Sequence, residues 1–189
     1  KNQKEAANYY KVAADKGDTN AMYNYALMLE KGNGIPKNQK EAASYYKTAA
    51  DKGDSDSMYN YAFMLEQGFG VPKNPTEAVR YYKMAIDNGN IDAMNNYAIM
   101  LCQGDGIPEN LKEAARYYKM AADKGDSDAM NNYALMLEQG FKILKNPIEA
   151  VRYYKMAIDK GNTDAMNNYA LMLEKGNGIQ KNPTEAARY

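Results

Sequence analysis

The sequence predicts an all-α fold, an α-solenoid of 36-residue helix-loop-helix repeats stacked into a right-handed superhelix. Three observations carry that expectation. Asn recurs at 2, 38, 74, 110, 146 and 182, and Glu5, Glu41, Glu77, Glu113, Glu149 and Glu185 keep the same step of 36. Each unit holds two apolar stripes at spacings of three and four, the spacing of one helix face. Glycines 17, 53, 89, 125 and 161 punctuate every unit at the same place. Residues 1–189 therefore form a single array of about five repeats plus a truncated sixth. It is expected to be an excerpt from a longer array, because stable solenoids carry polar capping units at their ends.

Within residues 38–73 the first segment opens on Asn38-Gln39-Lys40-Glu41, a capping residue followed three later by Glu, the capping-box pattern. In Asn74-Pro75, Asn146-Pro147 and Asn182-Pro183 the proline stands at the first helical position, where its missing donor costs nothing. Ala42, Tyr45, Tyr46, Ala49 and Ala50 form one stripe, and Gly53 is placed to close this helix, termed B, with a left-handed residue. The second segment, helix A, runs roughly from Asp56 to Gln67, puts Met58, Tyr61, Ala62, Met64 and Leu65 on one face, and stops at Gly68. Gly68-Phe69-Gly70-Val71-Pro72 is the loop to the next B helix. Small residues such as Ala42, Ala49 and Ala62 allow close helix approach, so units stack to bury a continuous core. One loop departs: Gly140-Phe141-Lys142-Ile143-Leu144 has lost its second glycine and its proline. If Gly34, Gly70, Gly106 and Gly178 take positive φ, Lys142 is expected to force a locally different path.

Composition removes most chemistry. There is no His and no Trp, a single Cys, yet eighteen Tyr and thirteen Met, which excludes Ser-His-Asp, Cys-His and His-metal sites. No catalytic, cofactor-binding or metal-binding residue is assigned, and enzyme activity is not expected. Gly32-Asn33-Gly34 and its copies lack the Lys-Ser/Thr and preceding strand of a phosphate loop and read as turns. Lys plus Arg equals Asp plus Glu at 24 each with no block of one sign, so no nucleic-acid footprint exists. Apolar runs of about five residues fall short of the ~20 a membrane helix needs, so direct membrane insertion is not expected. One cysteine forms no intramolecular disulfide, which favours a reducing, cytoplasmic setting. Nothing in the sequence sets an oligomeric state.

Ala21, Tyr25-Ala26, Gly32-x-Gly34-Ile35, Asn38, Ala42, Tyr45-Tyr46, Ala49-Ala50 and Gly53 together resemble the Sel1-like repeat. That family's pattern is A-x(3)-L-G-x(2)-Y-x(2)-G-x-G-V, then D, K-A, W-Y, K-A-A and G. Tetratricopeptide-type solenoids are the near relatives. Tyr25 and Ala26 stand where the family has Leu-Gly, Leu29 where it has Tyr, and Tyr45 where it often has Trp, exchanges of bulk that leave the fold expectation intact. The resemblance implies a protein-protein interaction scaffold or adaptor. A branch with a Cys pair stapling each repeat has been linked to β-lactam binding or hydrolysis, and a chain with one cysteine does not match it.

On a helical wheel Asn24, Asn60, Asn96, Asn132 and Asn168 lie off the apolar stripe of helix A, one amide per unit. Two readings stand: the ladder holds an extended peptide backbone on a concave wall, or it bonds neighbouring units. Leu27, Phe63, Ile99, Leu135 and Leu171 sit opposite the stripe, and either touch the next unit or form an exposed apolar strip. Tyr23 and Tyr59 give way to Asn95, Asn131 and Asn167 at the equivalent place. The candidate partner-binding set on the concave helix-A surface is thus Tyr23, Asn24, Tyr59, Asn60, Phe63, Asn96, Ile99, Asn132, Leu135 and Asn168, with a protein or peptide as partner. The rival function is a structural component of a larger assembly, for instance cytoskeletal, acting through the convex face and repeat edges.

The tyrosine pairs, from Tyr9-Tyr10 to Tyr153-Tyr154, are expected in the core. Glu77-Arg80, Glu113-Arg116 and Glu149-Arg152 are expected as i,i+3 pairs on the exposed side of helix B. Cys102 replaces the Glu of positions 30, 66, 138 and 174 on an expected polar face, which predicts an accessible thiol. Asp54 with Asp56, and Asp126 with Asp128, are expected as caps rather than as acid-base or calcium groups.

Overall fold

The structure, a computed structural model, describes residues 2–188. In chain order it contains α1 (Asn2–Asp15), α2 (Thr19–Lys31), α3 (Gln39–Asp51), α4 (Ser55–Gln67), α5 (Pro75–Asp87) and α6 (Ile91–Gln103). These are followed by α7 (Leu111–Asp123), α8 (Ser127–Gln139), α9 (Pro147–Asp159), α10 (Thr163–Lys175) and the short α11 (Pro183–Ala186). Odd-numbered helices are the B helices and even-numbered ones the A helices. No strand occurs among the described residues. The helix hairpins group into two compact units, one built from α1 to α5 with residues 91–93 and 105–107, the other from residues 94–104 and 108 onward.

The helix starts follow from side-chain chemistry. In α3, Asn38 Oδ1 accepts the Glu41 backbone N–H at 3.2 Å, and Asn38 Nδ2 donates to Glu41 Oε2 at 2.8 Å. The same pair of bonds recurs at Asn74, Asn110, Asn146 and Asn182. It is a variant of the capping box: the Asn38 N–H is already spent on the Leu29 carbonyl at 2.8 Å, so Glu41 bonds the cap's side-chain amide instead. Asp18, Asp54, Asp126 and Asn162 cap α2, α4, α8 and α10. The second carboxylates also have structural work, since Asp56 Oδ1 accepts from Asn90 at 3.0 Å and Asp128 Oδ1 from Asn162 at 2.6 Å. Helix A ends on a left-handed glycine, with φ of 79° at Gly68. Helix B ends one residue before such a glycine, with φ of 101° at Gly53.

The tyrosine pairs lie in the core as expected in α3, α5 and α9, but Tyr9 and Tyr10 of α1 are 70% and 37% exposed; in those three helices each tyrosine has its own task. The first meets an A-helix tyrosine edge to face, with centroids 5.0 Å apart for Tyr25 and Tyr45, 4.8 Å for Tyr61 and Tyr81, and 4.9 Å for Tyr133 and Tyr153. Such pairs add about 0.5–1.5 kcal/mol beyond the area they bury. Its hydroxyl then donates to the last Asp of the preceding B helix: Tyr45 to Asp15 at 3.0 Å, Tyr81 to Asp51 at 2.9 Å, Tyr153 to Asp123 at 3.3 Å. The second tyrosine is sunk in the core and donates to a Glu of the A helix sixteen residues earlier. Those bonds are Tyr46 to Glu30 at 2.9 Å, Tyr82 to Glu66 at 2.6 Å and Tyr154 to Glu138 at 3.1 Å. Phenols reconcile a buried ring with a satisfied polar tip, which is why this chain fills its core with Tyr.

Two further expectations need correction. Of the three i,i+3 pairs, Arg80 and Glu77 lie at 3.7 Å and Arg116 and Glu113 at 3.9 Å while Arg152 and Glu149 form none; all three guanidiniums stack over the next tyrosine, 4.3, 4.9 and 5.0 Å from the ring centroids. The loop at Lys142 does not leave the common path: Lys142 holds a φ of 56°, beside 71° at Gly106. In the other loops the glycine lies so close to an earlier B helix that a Cβ would fall 2.3 Å from Gln39 O at Gly70 and 2.4 Å from the Pro75 carbonyl carbon at Gly106. At Lys142 room exists, as a cavity of about 330 Å³ bounded by Glu109, Asn110, Leu111, Lys112 and Lys142 itself. The backbone thus keeps its path, and the packing beside it is what differs. Lys142→Gly is expected to stabilise the chain by about 1 kcal/mol by relieving the left-handed strain. A higher urea midpoint at unchanged slope is the measurement that checks it.

Candidate functional site

The candidate surface residues all lie on A helices, because helix A turns one stripe into the core and leaves the opposite side less covered. In the first unit, Tyr23, Asn24, Tyr59, Asn60 and Phe63 are half-buried. Asn24 Nδ2 donates to the Asn20 carbonyl and Asn60 Nδ2 to the Asp56 carbonyl, both at 2.8 Å within their own helices. The Tyr23 ring lies 6.0 Å from Tyr46, the Tyr59 ring 6.0 Å from Tyr82, and the Phe63 ring 6.0 Å from Phe69. Burial raises the Tyr23 phenol above its usual range, with Asp56 and Asp54 adding to the shift and a hydrogen bond from Asn60 opposing it.

In the second unit, Asn96 and Ile99 are half-buried, and the later asparagines pair across repeats. Asn132 Nδ2 donates to Asn95 Oδ1 at 3.2 Å, and Asn168 Nδ2 to Asn131 Oδ1 at 2.9 Å. The bonds between repeats foreseen as one of two readings therefore exist for Asn132 and Asn168, and they fix these amides in place. Leu135 and Leu171 are 36% and 46% exposed, while their chain neighbours Met136, Leu137, Met172 and Leu173 are buried.

The expectation for Cys102 is corrected. Its position is where the A-helix Glu receives a buried phenol, so it is not on an open polar face. Cys102 is half-buried, and burial pushes its thiol above the usual range, with Glu109 reinforcing the shift. Its Sγ lies 3.9 Å from the Tyr118 hydroxyl, a weak contact in place of a carboxylate bond. A cavity of about 420 Å³ opens beside it, a feature the sequence reading missed. The signal was present: the same repeat has Cys for Glu at 102 and Glu at 109, where 37, 73, 145 and 181 are Lys. Among the described residues no group of three His, Cys, Asp or Glu gathers as a metal site, and no helix is long and apolar enough to cross a membrane.

A sequence model of the Sel1 repeat matches residues 1–18, 19–54, 55–90, 91–126, 127–162 and 163–189, with each complete match starting at a helix A. The structure is similar to that of a Sel1 repeat protein from Oxalobacter formigenes, with a TM-score of 0.91 and 31% identity over 98% of this chain and 74% of that one. It is also similar to c5321, a protective antigen of uropathogenic Escherichia coli strains displaying an SLR fold, with a TM-score of 0.86 and 25% identity. That match covers 98% of this chain and 40% of the antigen, so this chain spans about two fifths of the antigen's length. Cysteine-rich protein B of Helicobacter pylori shares the fold at a TM-score of 0.54 and 23% identity, over 68% of this chain and 92% of that one. No curated protein matches the sequence. A repeat model that runs the length of the chain, together with solenoid structures that superpose on nearly all of it, gives one conclusion: the chain belongs to the Sel1 repeat family.

Proposed function

We propose that the chain is a non-enzymatic protein-interaction scaffold that binds a peptide or protein segment across its A-helix surface. Sel1 repeat proteins are generally protein-interaction scaffolds and typically non-catalytic. The observation that carries the surface assignment is the pairing, one repeat apart, of exposed Leu135 and Leu171 with Asn132 and Asn168. The asparagine amides are held by the preceding repeat through Nδ2, so little side-chain entropy is lost on binding, and Oδ1 is the atom left to accept from a ligand. An extended segment would place backbone N–H groups on these carbonyls and apolar side chains on the leucines. The mechanism is presentation on a rigid surface, with no covalent step.

The test starts from peptides selected on the chain from a displayed library. Leu135→Arg and Leu171→Arg are each expected to weaken a selected peptide about tenfold or more, the loss typical of an interface anchor. Far-UV circular dichroism stays unchanged, because both side chains are exposed. Undiminished affinity in both variants, with loss in Arg116→Glu on helix B, would reject the A-helix surface. That result would favour the rival reading of a structural component acting through its B-helix side.

A further inference from the structure

We infer that the cavity beside Cys102 is an anchor pocket for an apolar residue of a peptide ligand that carries Lys or Arg next to it. This deepens the scaffold reading and rests on it. The cavity, about 420 Å³, is bounded on its apolar side by Leu111, Leu135, Met136 and Phe141. That volume falls within the range of small-ligand sites. It adjoins the exposed Leu135 and the fixed Asn132, so it is continuous with the proposed A-helix surface.

Two polar features give the occupant its chemistry. Tyr118 lines the pocket and is only 5% exposed, yet its hydroxyl meets no carboxylate. In the equivalent place Tyr46, Tyr82 and Tyr154 donate to Glu30, Glu66 and Glu138 at 2.9, 2.6 and 3.1 Å. At Tyr118 the hydrogen-bond partner is Cys102, whose Sγ lies 3.9 Å from the phenol oxygen, so the phenol has a weak sulfur partner where the other repeats give it a carboxylate. A peptide carbonyl is a stronger acceptor than a thiol sulfur, so a ligand that offers one improves the hydrogen bond of this phenol. The second feature is charge. Glu109 stands on the rim where positions 37, 73, 145 and 181 carry Lys, and among the described residues no ion pair engages it. The exchange of Lys for Glu turns this rim toward cations and against acidic neighbours. Substitution of Glu by Cys at 102 has meanwhile removed the carboxylate that would fill the space. Both departures fall in one repeat, and together they make a hole with an apolar wall, a phenol at its base and one carboxylate, Glu109, at its edge, with Lys112 and Lys142 on the far side of Glu109.

The probes are the dipeptides N-acetyl-Leu-Lys-amide, N-acetyl-Leu-Gln-amide and N-acetyl-Leu-Glu-amide, titrated into the full chain labelled with ¹³C at the methionine methyls. The Met136 signal is assigned with Met136→Leu. The Met136 shift is expected to saturate at the lowest concentration with the Lys probe, at about threefold more with Gln, and latest with Glu. Glu109→Lys reverses that order. Cys102→Glu, which returns the carboxylate of the other repeats, abolishes the shift while the circular dichroism is kept. Equal titration by all three probes, or an order that Glu109→Lys leaves unchanged, would overturn the proposal. The same Cys102→Glu variant separates the two readings. If it holds the selected peptides at unchanged affinity while Leu135→Arg and Leu171→Arg lose them, the pocket fails and the scaffold reading stands. If the unmodified chain retains no displayed peptide, the scaffold reading fails.

Discussion

Replacing Gly70 by Ala is expected to destabilise the chain by about 2–4 kcal/mol, whereas Gly53→Ala costs about 1–2 kcal/mol. Both glycines hold positive φ, 71° and 101°, so both pay for a left-handed alanine. They differ in surroundings. A Cβ on Gly70 would sit 2.3 Å from Gln39 O and 2.7 Å from Lys40 N, backbone atoms of the first turn of α3 that cannot rotate away. A Cβ on Gly53 meets nothing within 4 Å. The A-to-B loop glycine is thus a contact between successive repeats and the B-helix glycine a local cap. Urea denaturation of the two variants measures the difference directly. Equal losses would show that backbone conformation alone explains the paired glycines.

Stability is expected to hold up to about pH 9 and then to fall steeply above pH 10, the ordinary value for a phenol. The cause is the set of buried tyrosines. Tyr46 and Tyr118 are pushed upward mainly by burial; the Glu30 carboxylate adds to the shift at Tyr46 and the Cys102 thiol at Tyr118. Tyr154 is raised in the same way, by burial and then by Glu138. With folded values above unfolded ones, these phenols keep their protons in the native state while the unfolded chain loses them. Their contribution is therefore fully present below pH 10 and drains away as pH climbs above it. Each fully buried phenol contributes a slope of about 1.4 kcal/mol per pH unit, so Tyr46 and Tyr118 together give nearly 3. Tyr46→Phe removes one such slope and leaves Glu30 without its donor, so it is expected to lower stability near neutrality while flattening the alkaline limb. A stability profile level through pH 11 would contradict the buried-phenol account.

The repeat, the two helices of each unit and most of their ends were legible because they depend on local chemistry. Asn38 with Glu41, Pro75 at the first helical position and Gly68 after α4 act within a few residues of where they stand. The partners of Asn132 and Tyr82 were harder, since Asn95 lies 37 residues away and Glu66 sixteen, distances that only stacked helices close. A helical wheel puts position 102 on a polar face, but a wheel sees one helix. The second helix supplies the phenol that covers Glu30, Glu66 and Glu138 at that register. Lys142 failed as a predictor for a related reason. The penalty on its backbone was read correctly, yet the loop kept its path, because the Gly140 and Phe141 N–H bonds to the Met136 carbonyl and the Asn146 N–H bond to the Leu137 carbonyl fix both ends of that turn, and the adjacent packing yields more readily. The cavity beside Cys102 arises from several substitutions acting together, which no single position announces.

The central claim is that ligands engage the A helices, and the measurement that tests it most directly is a methyl and amide shift footprint of the tightest selected peptide. The account predicts shifts at Leu135, Leu171, Asn132 and Asn168, with Arg116, Lys119 and Arg152 on the B helices unmoved. A footprint on those B-helix residues, with α8 and α10 silent, would contradict it.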